Sequence, residues 1–105
     1  MADSLPSGLA AYRRTPVFDQ DNLPPGLLHN HSTKAGVWAL IHVLEGRLRY
    51  RITKPPSETM LTPGTPGVVL PQQLHEVEPV GSVRFFVEFY AVKDVEGSPH
   101  VGQVL

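Results

Sequence analysis

Apolar and polar residues alternate through the middle of the chain with the two-residue period of a half-buried strand. Val37-Trp38-Ala39-Leu40-Ile41-His42-Val43-Leu44 and Arg47-Leu48-Arg49-Tyr50-Arg51-Ile52 are two β-rich runs separated only by Glu45-Gly46. A two-residue spacer ending in glycine predicts a tight hairpin, with Val43 opposite Leu48, Ile41 opposite Tyr50 and Ala39 opposite Ile52. On that register Val37, Ala39, Ile41, Val43, Leu48, Tyr50 and Ile52 share the core face. The other face carries Trp38, Leu40, His42 and Leu44 with Arg47, Arg49 and Arg51, whose aliphatic stems can lie over the tryptophan and leucine.

Shorter apolar runs flank this centre. Arg14-Thr15-Pro16-Val17-Phe18 reads as an edge strand, Leu27 to Ser32 and Thr59 to Thr62 as brief strands, and Val68 to Pro71 and Leu74 to Glu78 as two more. Pro79 to Ser82 reads as a turn. Val83 to Val92, rich in aromatic and β-branched residues, reads as a central strand. Residues 1–12 are expected to be a loose lead-in. The runs are punctuated by eleven prolines and nine glycines, which end strands and build turns. No segment shows a 3.6-residue stripe, so about eight short strands predict an all-β sandwich or barrel.

The 105 residues match one domain, 1–105, with a core over about 10–92 and a loosely held tail over 94–105. Nine basic residues against ten acidic ones give a net charge of -1, which argues against a nucleic-acid or anionic-membrane partner. There is no cysteine, so disulfides, thiolate metal sites and cysteine nucleophiles are excluded. The N-terminus lacks the basic and apolar regions of a signal peptide, and no apolar stretch is long enough to span a bilayer; a cytoplasmic location is the expectation.

Candidate chemistry rests on histidine and one carboxylate. His29 and His31 form His-x-His, and on a strand their side chains would project to one side roughly 6.6 Å apart, close enough to converge on a metal ion or to stand as surface histidines beside a loop. His75 enters a strand just after Pro71-Gln72-Gln73-Leu74 and is expected to point inward, as a ligand or as a core histidine held by a carbonyl. Glu88 interrupts Phe85-Phe86-Val87-Glu88-Phe89-Tyr90; it is either a pocket ligand or acid/base group, or the partner of Arg84 or a hairpin arginine. His42 belongs to the outer face and His100 to the tail.

His-x-His, a strand ending in Glu45-Gly46, a Pro-Gly turn and then Pro71-x-x-x-His75 together resemble the cupin superfamily. Residues 14–18, 31–38, 43–50, 71–79 and 86–90 also resemble the small domain at the N-terminus of tellurite-resistance protein B and its stand-alone relatives. The resemblance implies a small antiparallel cupin-type jelly-roll barrel from the bacterial cytoplasm, often a homodimer. It places Ala39 where a cupin usually keeps a glutamate, which leaves a reorganised metal site of His31, His75 and Glu88, with His29 peripheral. Two imidazoles and a carboxylate suit a divalent Zn, Fe or Ni ion. In tellurite-resistance protein B the domain precedes a methyltransferase domain, for which this sequence has neither the length nor a glycine-rich nucleotide fingerprint. The expected function is therefore a protein binding a metal ion or small-molecule ligand. The alternatives are a metal-dependent dioxygenase or isomerase, and a structural or dimerisation module meeting its copy through Trp38, Leu40 and Leu44.

Overall fold

The computed structural model describes residues 5–28 and 31–92. These residues contain six strands: β1 (Leu9–Arg14), β2 (Phe18–Asp19), β3 (Trp38–Ile52), β4 (Ser57–Leu61), β5 (Gly67–Val69) and β6 (His75–Val92), with a 3-10 turn at Pro25–Leu28. All pairings are antiparallel. The strand order β1-β6-β3-β4, with β2 also on β6 and β5 also on β3, does not return to its start, so the sheet is open. The closed cupin-type barrel expected from the sequence is replaced by this single antiparallel sheet. Among the described residues no helix is long and apolar enough to cross a membrane.

The centre of the sheet differs from the expected hairpin. The two runs around Glu45-Gly46 are collinear and form one 15-residue strand, β3. Its partner along its whole length is β6, from Trp38↔Tyr90 to Ile52↔His75. β6 is likewise one strand of 18 residues and passes straight through Pro79 to Ser82.

The physical reason lies in the phase of the alternation. On β3 the inward residues are Ala39, Ile41 and Val43 and then Leu48 and Tyr50, so the apolar set changes from odd to even numbers. A regular strand would turn one of these halves to the outside. The register steps over one extra β3 residue, Leu44, between Val43↔Phe85 and Glu45↔Arg84, and the phase is reset. Opposite it β6 accommodates Gly81 and Ser82 between Gly46↔Val83 and Arg47↔Val80. Gly46 and Gly81 take positive φ, +82° and +74°, the left-handed geometry that glycine supplies at bulges. A hairpin and a bulge of this kind sort the side chains identically, so the expected core face is the observed one although the connection is different.

Residues expected to form a loose lead-in make β1, which pairs with the end of β6 from Leu9↔Val92 to Arg14↔Glu88. Pro16 has no N–H to give to the ladder, and Thr15 bridges the gap before β2. The Thr15 amide donates to Val87 O at 2.9 Å, and the Val87 amide donates to the Thr15 hydroxyl at 3.0 Å. Leu27 to Leu28, expected as strand, belongs to the 3-10 turn, and the tail 94–105 lies outside the described residues.

The inner face of the sheet is closed by Val37, Leu48, Leu61, Val69, Val83, Phe85 and Phe89, each almost wholly buried. On the outer face Arg49 and Arg51 are paired across strands. Arg49 meets Glu78 and Glu58, and Arg51 meets Glu76 at 2.7 Å and Glu58 at 3.2 Å. Trp38 and Leu40 also lie on this face, and Leu44 is 42% exposed as the inserted residue of the bulge.

The bulge makes a specific demand on Gly46. A Cβ there would stand 2.1 Å from the Ser82 carbonyl oxygen, a backbone atom with little room to yield, whereas a Cβ on Gly36, at φ +77°, meets nothing within 4 Å. Gly46→Ala should therefore lose about 2–4 kcal/mol in urea unfolding, and Gly36→Ala only the about 1–2 kcal/mol of its strained backbone. Equal losses at the two positions would contradict the bulge geometry.

Candidate functional site

The inner surface of the sheet and the 3-10 turn enclose a cavity of about 310 Å³. Ala39 and Ile41 of β3, Val69 of β5 and Val77, Phe85, Val87 and Phe89 of β6 form its wall. Phe18, Pro24, Gly26 and Leu27 cover it from the segment before the histidines. Pro24 and Gly26 are exposed as well as lining, so the cavity reaches solvent beneath the 3-10 turn. Among the described residues its polar lining consists of Thr15, Thr33, His31 and His75. Both threonine hydroxyls are already committed: Thr15 donates to Pro16 O at 2.8 Å and Thr33 to Val37 O at 2.7 Å. The two imidazoles are left as the polar groups free to address a bound molecule.

The imidazoles meet through backbone pairing. The His31 amide donates to His75 O at 2.7 Å and the His75 amide to His31 O at 2.8 Å, an isolated antiparallel bridge. Residues directly opposite in such a pair project to the same side. Their rings accordingly stand edge to face with centroids 5.6 Å apart, and His75 makes a similar contact, 5.8 Å, with Tyr50. Tyr50 in turn donates from its hydroxyl to Val68 O at 2.7 Å. The partner of His31 across the site is thus His75, 44 positions away in sequence, where the His-x-His spacing had suggested His29. His29 lies outside the described residues.

The tautomer of His75 follows from its neighbour. Nδ1 lies 2.9 Å from the Gln73 carbonyl oxygen, which can only accept, so Nδ1 carries the hydrogen and Nε2 the lone pair. Burial lowers the pKa of both rings from 6.5. For His75 the contact with Gln73 opposes that fall, and the neighbouring His31 adds to it. Both imidazoles are neutral at neutral pH.

Glu88 does not join them. On β6 the inward residues are odd-numbered and Glu88 points to the outer face. There its carboxylate accepts from the Tyr90 hydroxyl at 2.8 Å and from Arg14 Nη2 at 3.3 Å. His42 Nε2 stands 3.3 Å away in a geometry that makes no hydrogen bond. Phe86 lies beneath this cluster, stacked on His42 at 4.8 Å and covered by the Arg14 guanidinium at 4.6 Å. Burial is the largest single influence on Glu88 and raises its pKa, but the Tyr90 and Arg14 hydrogen bonds with the charges of Arg14 and His42 outweigh it and hold the carboxyl below 4.5. The expected three-residue metal site is thereby split between the two faces of the sheet. Among the described residues no group of three or more His, Cys, Asp or Glu could hold a metal ion.

Thr33, placed in a loop by its sequence, is 8% exposed and lines the cavity. Its neighbours Lys34-Ala35-Gly36 are loop-like and gave no sign of this role. Thr15 carried a better signal, because a hydroxyl residue before a proline in an edge strand can accept from the partner strand's amide where the regular ladder is interrupted.

The comparisons with known proteins cover most of the chain. The family model that matches is the TehB-like domain, over residues 13–87. The probable S-adenosyl-L-methionine-dependent methyltransferase TehB of Haemophilus influenzae is 34% identical over 92 residues, which cover 82% of this chain and 32% of that protein. This chain thus spans about a third of the length of the curated relatives it matches. The crystal structure of H. influenzae TehB superposes with a TM-score of 0.75 at 32% identity, covering 83% of this chain and 32% of that one. An E. coli K12 protein shares the fold with a TM-score of 0.80 at 21% identity, over 87% of this chain and 98% of its own. These findings replace the assignment to the cupin superfamily. They also overturn the metal-binding function, its dioxygenase, isomerase and dimerisation alternatives, and the divalent Zn, Fe or Ni cofactor; the relatives' names point to methyl transfer.

The neutral histidines set a pH dependence. The folded state resists protonation of His31 and His75 and the unfolded chain does not, so protons favour unfolding. Stability should be level above pH 6.5 and fall as the pH drops below it. Glu88, whose folded pKa is depressed, adds a second loss as the pH falls below 4.5. In urea titrations across pH, His75→Phe should lose less stability than the parent as the pH falls below 6.5. An unchanged slope would contradict the burial of His75 as a neutral ring.

Proposed function

This chain belongs to the TehB-like domain family, and we propose that it serves methyltransferase-related chemistry by holding a small, uncharged, largely apolar molecule in the cavity between β3, β6 and the 3-10 turn. The observation that carries this reading is the cavity itself: about 310 Å³, walled by aliphatic and aromatic side chains, with two imidazoles as its uncommitted polar groups. Its volume is at the lower end of ligand pockets, which start at roughly 300 Å³. It is about twice that of an apolar cavity of ~150 Å³ that takes up benzene. A molecule of one or two rings fits it.

S-adenosylmethionine, which the relatives' name implies, does not fit this lining. That molecule carries a sulfonium, an ammonium and a carboxylate, and among the described residues no Asp, Glu, Lys or Arg lines the cavity. Burying those charges without partners would cost more than the apolar contacts return. In this reading the domain receives the molecule to be methylated or the product, the methyl donor is bound by other structure, and the site of action is the cytoplasm. His31 and His75 are the binding residues; Glu88 serves the outer face.

Calorimetric titration tests the reading. Naphthalene should bind the chain with a Kd on the order of 10–100 μM and raise its Tm by mass action, while S-adenosylmethionine should leave both unchanged. Ala39→Phe, which puts a ring into the cavity wall, should abolish naphthalene binding with the sheet intact by circular dichroism. Failure of naphthalene to bind, or binding of S-adenosylmethionine at comparable affinity, would overturn the proposal.

A further inference from the structure

The cavity also shows what kind of molecule it selects. Among the described residues its lining holds no Asp, Glu, Lys or Arg, so these offer no counter-ion to a charged ligand, and either sign of charge would be desolvated without compensation. Within that neutral surface one polar atom has a fixed character. His75 donates from Nδ1 to the Gln73 carbonyl, and its Nε2 therefore presents a lone pair. Nε2 has no hydrogen-bond partner among the described residues, and the ring lines the cavity. The ring has little freedom to turn away. It is held at Nδ1 by Gln73, at its backbone by the His31 bridge, and on its edges by His31 and Tyr50. Of the other polar groups of the wall, His31 packs its ring against His75, and the threonine hydroxyls already donate to backbone carbonyls.

We propose that the ligand is a neutral hydrogen-bond donor, an apolar ring system carrying a single hydroxyl, thiol or N–H group whose hydrogen is received by His75 Nε2. This rests on the cavity being a binding site, as argued above, and adds the functional group. A donor satisfies Nε2. An ether, a ketone or a plain hydrocarbon of the same size leaves it buried and unpaired against an apolar surface, the circumstance in which a site built for a polar group discriminates most strongly. The same arrangement fits the methyltransferase-related reading, because a hydroxyl, thiol or amine is the kind of group that accepts a methyl. His75 is assigned here as a binding residue that orients the donor, with no proton transfer implied.

2-Naphthol and 2-methylnaphthalene differ little in size and differ in the donor. Their affinities for the intact chain and for His75→Phe, measured by calorimetry, test the assignment. The ratio of 2-naphthol to 2-methylnaphthalene affinity should fall at least about ten-fold in His75→Phe. An unchanged ratio would overturn the donor assignment and leave the cavity reading standing, whereas failure of both molecules to bind the parent chain would overturn the cavity reading itself. Because the substitution also removes the contact with Gln73, nitrogen-15 NMR of the unmodified protein gives a second readout. The Nε2 resonance of His75 should shift on addition of 2-naphthol and stay in place with 2-methylnaphthalene. A shift with both molecules or with neither would equally overturn the assignment.

Discussion

The pairing of β3 with β6 is the constraint on which the remaining structure depends. Fourteen registered pairs run from Trp38↔Tyr90 to Ile52↔His75. Both strands are much longer than the five or six residues usual in globular proteins. Strands of that length cannot keep one apolar face toward a single core unless their alternation is consistent from end to end, and the β3 sequence is not: its inward set is odd before Leu44 and even after it. The inserted Leu44, with Gly46 in the left-handed region and Gly81-Ser82 opposite, reconciles the two halves. The cavity wall depends on this reset, because it draws on both sides of the bulge: Ala39 and Ile41 before it on β3, and Val77 and His75 on the β6 segment that pairs with the residues after it.

The sheet also separates two kinds of chemistry. Its inner face is apolar and neutral, with His31 and His75 as uncharged rings beside a cavity. Its outer face is a ladder of paired charges: Glu45 with Arg84, Arg49 with Glu78, Arg51 with Glu76, and Glu88 with Arg14. Alternation along one strand, β6, is enough to place His75 in one environment and Glu88 in the other. A metal centre needing both would have to reach through the sheet. The neutral cavity instead suits a molecule that brings no charge, and the orientation of one ring nitrogen gives that molecule its handle.

Part of this was legible in the sequence. The period of two marked the strands, the charge balance was that of an ordinary globular protein, and the inner face of β3 was identified residue by residue. Inward placement of His75 followed from its entry into a strand with Val77 on the same side. Glu88 was less readable. The run Phe85-Phe86-Val87-Glu88-Phe89-Tyr90 is apolar on both faces, since Phe86 covers the outer cluster while Phe85 and Phe89 fill the core. Periodicity offers no choice between faces in such a run, and the carboxylate itself was the better clue: the face that keeps a charge is the one where Arg14 and Tyr90 can answer it.

What the sequence determined is local: strand period, the face each side chain takes relative to its neighbours, and the positions where glycine must relieve the backbone. These follow from the stereochemistry of a few adjacent residues. Tertiary structure decided how the local pieces connect. Gly46 at positive φ serves a hairpin or a bulge equally well, and only β6, lying beside both halves of β3, selects the bulge. His31 and His75 are brought together by two backbone hydrogen bonds across 44 positions, and a cavity exists only where distant segments meet around it. Such contacts depend on the whole chain's packing, which no short window of sequence contains.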